Sequence, residues 1–136
     1  MDEKTLLKAA AEAAENAYAP YSGYQVGAAA LGEDGRLYTG CNVENASYGL
    51  TNCAERGALF AMVGAGCRRF TLLAVCAKGA AAPWPCGACR QVMAEFCQNG
   101  DTPVLVRGGD GVIMRSTVGG LLPEAFSLKG APPCRS

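Results

Sequence analysis

Two short segments carry residue types that could do chemistry together. In "PCGACR", Cys86 and Cys89 form a C-x-x-C at the first turn of a predicted helix, where side chains three apart share a face. A helix N-terminus carries partial positive charge, which favours the thiolate, the form that ligates metal. Alone, the pair fits a redox dithiol, a zinc site or two buried cysteines equally. In "NCAERGALF", Cys53 opens a second predicted helix, with Glu55 two residues on. A catalytic zinc takes three protein ligands and leaves one position open, so three cysteines at two helix starts match that count. A structural zinc needs a fourth ligand, and Cys41, Cys67, Cys76, Cys97 and Cys134 offer no second C-x-x-C. Glu55 has two readings. With Asn52 it spells a capping box; beside a metal-activated water it can take a proton and deliver it to a leaving group. The cysteines tip the balance to the second. Arg56 and Arg90 lie close behind these residues, and either could offset the negative charge of three thiolates around one zinc or be an ordinary surface arginine.

The elements that must position these groups follow from periodicity. Leu6, Leu7, Ala10, Ala14 and Ala17 recur at helical spacing, predicting an amphipathic helix over residues 3–18 that stops before Pro20. "YQVGAAAL" and "RLYTGCNV" flank "GEDG" and read as an antiparallel hairpin. A helix runs from Cys53 to about Val63, closed by Gly64 and Gly66. "FTLLAVCA" is a nearly unbroken apolar run, as in a central strand covered on both faces. "CGACRQVMAEF" is helical and closes at Gly100. "TPVLVRG" and "VIMRSTV" surround "GDG", a link too short for a parallel crossover, so these strands pair antiparallel. The order predicts a mixed sheet between helices, in one domain spanning residues 1–136.

Composition narrows the partners. Lys plus Arg equals Asp plus Glu at 12 each, so no basic excess exists to hold a nucleic acid, and a small neutral ligand fits better. Half the residues are hydrophobic and 18% charged, which suits a globular soluble chain with no membrane span. The N-terminal residues lack the basic start and continuous apolar run of a secretory signal, predicting a cytoplasmic protein whose eight cysteines stay reduced.

"CAE" followed by "PCGAC" resembles the cytidine deaminase family, in its compact branch with three cysteine zinc ligands. The likeness runs from about residue 3 to residue 127 and includes "AYAPYSGYQVGAAAL", "GCNVENASYG", "NCAERGALF", "PCGACRQVMAEF" and "LLPEAFS". It implies an α/β fold, a three-layer α/β/α sandwich with a five-stranded mixed sheet, and Zn2+ held by Cys53, Cys86 and Cys89. The implied reaction is hydrolytic deamination of free cytidine and deoxycytidine to uridine and deoxyuridine, with Glu55 protonating N3 and then the departing amine. The resemblance further implies that Asn42 and Glu44 hold the ribose 3'-hydroxyl and that Tyr24 packs near the base. Backbone groups at Ala54 and Cys86 would hold the base edge. Phe126 would reach from a neighbouring subunit of a homotetramer to stack on the pyrimidine. Without it, Asn42 and Glu44 read as a polar strand exit, and Tyr24 and Phe126 as core aromatics. Two residues depart from the family pattern: Tyr24 stands where phenylalanine is common, and Trp84 where serine often precedes the C-x-x-C by two residues. The alternatives are a deaminase of an aminated nucleoside antibiotic such as blasticidin S and, in another class, a non-catalytic zinc-stabilised binding module. The short "GGDG" link and the neutral charge disfavour action on polynucleotides.

Overall fold

A computed structural model describes residues 2–79 and 81–128; Cys134 lies outside them. Helix α1 spans Glu3–Ala14, and the Asp2 side chain caps it by accepting the Thr5 N–H at 2.8 Å. Its buried face is Leu6, Leu7, Ala10 and Ala14. The helix ends four residues short of the predicted limit at residue 18. Tyr18 is recruited into backbone pairing instead: its N–H donates to Asn42 O (3.0 Å) and its C=O accepts from Glu44 N–H (2.8 Å).

The hairpin forms as expected, with β1 (Val26–Gly32) antiparallel to β2 (Leu37–Cys41) in the register Gly27↔Cys41 to Leu31↔Leu37. Strand β3 (Phe70–Ala77) lies between β1, antiparallel, and β4 (Pro103–Arg107), parallel; β5 (Ile113–Thr117) closes the far edge antiparallel to β4. The five-stranded order is β2-β1-β3-β4-β5. The parallel β3–β4 step requires a crossover, and α3 (Gly87–Phe96) supplies it. The remaining helices are α2 (Ala54–Gly64) and the single turn α4 (Val118–Leu121), which follows β5 without interruption.

Each face of the sheet has its own apolar layer. Leu72, Ala74 and Cys76 of β3 join Leu6, Leu7 and Ala10 of α1, whereas Leu73 and Val75 join Ala58, Leu59, Met62 and Met93 of α2 and α3. This period-two division is why the run "FTLLAVCA" contains no polar face. Two glycines set how closely the helices approach. A Cβ on Gly27 would overlap Ala10 O and Ala14 N of α1, and one on Gly40 would overlap Ala54 O and Ala58 N of α2. The start of α2, which carries Cys53 and Glu55, therefore rests directly on the β2 backbone. Helix α3 ends at Phe96, before Gly100, because Cys97 turns extended to bridge Phe70 and Gln98 N–H donates to Phe70 O at 3.0 Å. No helix among the described residues is long and apolar enough to cross a membrane.

Candidate metal centre and active site

Cys53 and Cys86 are the residues immediately before α2 and α3, both extended and neither using its side chain as a cap. Their thiols are thus free to face each other across the junction of two helix N-termini, where partial positive charge favours thiolate. Cys89 joins them from the first turn of α3, and the three Sγ atoms all lie within 4.8 Å of one another. Zinc–thiolate bonds of about 2.3 Å in tetrahedral geometry place sulfurs about 3.8 Å apart. The Cys53–Cys86 separation is 3.8 Å, so the donor set fits zinc with modest closure around Cys89. Cys89 is buried, Cys53 half-buried and Cys86 exposed, so the cluster opens on one side. Among the described residues it ends at three ligands, without the fourth that a purely structural zinc requires.

A hydrogen bond from Cys89 draws the Cys53 thiol down to about 5, assisted by the Arg56 guanidinium, while Cys89 keeps its proton and is pushed up. Arg56 Nη2 lies 3.4 Å from Cys53 Sγ. Arg90 acts elsewhere: its Nε–H donates to Pro85 O at 2.7 Å and its Nη1–H to Leu121 O at 2.9 Å.

Glu55 is not a cap. Asn52 is held extended by reciprocal 2.9 Å backbone bonds with Val43, so α2 starts one residue later than a capping box needs, and Cys53 takes the N-cap position. Glu55 sits in the first turn at only 5% exposure. Burial pushes its carboxyl up to about 7, against its own backbone N–H and with the Cys53 thiolate adding to the rise. A carboxyl poised near neutrality can both accept and release a proton.

Glu55, Ala54, Cys53 and Cys86 line a cavity of about 450 Å³, together with Tyr24, Asn42, Glu44 and Trp84. That volume lies within the range of small-ligand sites. Asn42 is buried, with Oδ1 accepting Val26 N–H (2.9 Å) and Nδ2 donating to Tyr24 O (2.8 Å). Glu44 accepts the N–H groups of Tyr21 (2.9 Å) and Ser22 (3.1 Å) and the Ser22 hydroxyl, which chiefly holds its carboxyl below the usual range. Both residues brace the loop before β1 as well as facing the cavity. Burial, then the Glu55 charge, raises the Tyr24 phenol. Ser22 and Thr51 also line the cavity; as hydroxyl residues in turn-rich segments they offered no sequence signal. Phe126 is 68% exposed and does not line this cavity; its carbonyl accepts Gln91 Nε2–H at 3.1 Å. Among the described residues Cys41, Cys67, Cys76 and Cys97 form no disulfide.

A mixed sheet that brings two helix starts, three clustered thiols and a buried carboxyl together has the make-up of the zinc deaminases. Residues 1–103 match the family described as the cytidine and deoxycytidylate deaminase zinc-binding region. The chain is 53% identical over 127 residues to the cytidine deaminase of Sporosarcina psychrophila, covering 93% of each chain. It is likewise 53% identical over 129 residues to that of Halalkalibacterium halodurans, covering 95% of this chain and 97% of the relative. The crystal structure of the cytidine deaminase from Burkholderia pseudomallei superposes with a TM-score of 0.87 at 48% identity, over 93% of this chain and all of that one. The chain belongs to the cytidine deaminase family.

Proposed function

We propose that this chain deaminates free cytidine and deoxycytidine hydrolytically, and that Cys53, Cys86 and Cys89 hold its zinc. The observation that carries the reading is Glu55, buried in the cavity beside three clustered thiols with its carboxyl raised to about 7. When bound, zinc acts as a Lewis acid that makes water nucleophilic near neutral pH. Glu55 takes a proton from the water that adds to C4 and passes it to N3. With the C4–O bond formed, it carries the proton of the new C4 hydroxyl to the amine, the C4–N bond breaks, and ammonia leaves with uridine or deoxyuridine, now bearing a C4 carbonyl, as the other product. Burial keeps bulk water from competing for these protons. Asn42 and Glu44 face the sugar, and the bonds that lock both side chains fix the second Asn42 Nδ2–H and the further lone pair of Glu44 Oε2 for the ribose 3'-hydroxyl. Tyr24 covers the base, and the backbone at Ala54 and Cys86 holds its edge. Arg56 stabilises the Cys53 thiolate directly.

Phe126, exposed in its own chain, completes a neighbour's pocket in a homotetramer. Exposed Tyr18, Tyr21, Tyr48, Leu50 and Phe60 supply apolar surface for such an assembly. A site of three free thiols suits a reducing, cytoplasmic location. The test is absorbance-monitored deamination of a nucleoside panel with zinc measured in parallel. The expected result is turnover of cytidine and deoxycytidine with about one zinc per chain. Preference for an aminated antibiotic would move the substrate, and bound zinc without any turnover would leave only a binding module.

A further inference from the structure

Among the described residues, the segment entering α3 has few backbone donors of its own. Pro83 and Pro85 have no amide N–H, and the Trp84 N–H turns inward to Ala82 O at 2.9 Å. This segment nonetheless carries Cys86 and contributes Trp84 to the cavity wall. The grip on it comes from Arg90, one turn along α3. Its Nε–H holds the carbonyl of Pro85, the residue before Cys86, and its Nη1–H holds the Leu121 carbonyl at the end of α4. Only a planar guanidinium offers donors in that fixed fork. We propose that Arg90 is a positioning residue that fixes the Pro85–Cys86 turn, and so the third side of the metal site, by bridging two carbonyls and not by its charge. The inference rests on Cys86 being a zinc ligand, as proposed above.

Trp84 is the chain's one tryptophan, so its fluorescence reports on this turn alone. Arg90→Lys keeps the charge and loses the fork; Arg90→Ala loses both. In the metal-free chain, with helical content checked by circular dichroism, both variants are expected to lose protection of Trp84 from acrylamide quenching. Both should also yield zinc to a chromophoric chelator with roughly tenfold weaker affinity, as for other residues that orient a ligand. A parental Arg90→Lys beside a defective Arg90→Ala would assign the effect to charge and overturn the proposal. Parental behaviour of both would overturn it too, as would global unfolding of Arg90→Lys, which would make the role structural. The quenching assay needs neither zinc nor nucleoside. A parent that binds zinc, shows this dependence on Arg90 and deaminates nothing refutes the proposed activity alone.

Discussion

Glu55→Gln should make the metal-free protein more stable above neutrality while abolishing turnover of the zinc form. At 5% exposure, the Glu55 carboxyl moves from an ordinary 4.5 to about 7, mainly through burial. Well below 4.5 it is protonated in both folded and unfolded chains, and its titration contributes no difference. As pH rises past that value the unfolded chain releases the proton first, so stability falls until the folded carboxyl also ionises near 7. At about 1.4 kcal/mol per pH unit the full loss is roughly 3 kcal/mol. Glutamine is neutral throughout and escapes it. Allowing about 1 kcal/mol for an imperfectly bonded amide leaves the variant more stable by about 2 kcal/mol on the alkaline side. Urea unfolding with chelator, at about pH 4 and about pH 8.5, measures the gap. The amide cannot shuttle protons, so turnover of the zinc-loaded variant should fall by roughly 10²-fold or more. A gap that is the same at both pH values, or a parent more stable at the higher one, refutes the burial argument. Activity within a few-fold of the parent refutes the proton-transfer role.

Cys89→Ala should lose most of its zinc on dialysis, measured by metal analysis of the folded protein, because two thiols cannot hold an open three-ligand site. Gly40→Ala should destabilise the fold by about 1–3 kcal/mol, since its methyl would overlap α2 backbone that can yield only by shifting the helix. Equal urea midpoints for that variant and the parent would contradict the close approach. Phe126→Ala should raise KM. Mixing it with Glu55→Gln chains and reassembling should restore some sites that pair intact Glu55 with a donated Phe126, read as a return of low-KM activity. Light scattering of an active monomer would exclude that sharing.

Local chemistry was enough to place the hairpin, the apolar strand β3 and the two helix starts bearing cysteine, because apolar periodicity and turn residues report each element's own surroundings. It misplaced the ends of α1 and α3, where distant partners decide the matter: Asn42 and Glu44 pull Tyr18 out of the helical path, and Phe70 does the same for Cys97. The capping-box reading of Glu55 failed for the same reason, since Val43 holds Asn52 extended. Nor could spacing separate Arg56, which meets a thiol, from Arg90, which meets carbonyls. The sequence by itself determined which groups are available: thiols at two helix starts and a carboxyl beside one of them. The tertiary structure decided that they meet. Cys53 and Cys86 are 33 residues apart, and they converge because α2 and α3 cover the same face of the sheet, α3 as the crossover of the parallel β3–β4 pair. Burial on that shared face then raises the Glu55 carboxyl, a property that belongs to the packed environment and not to the residue.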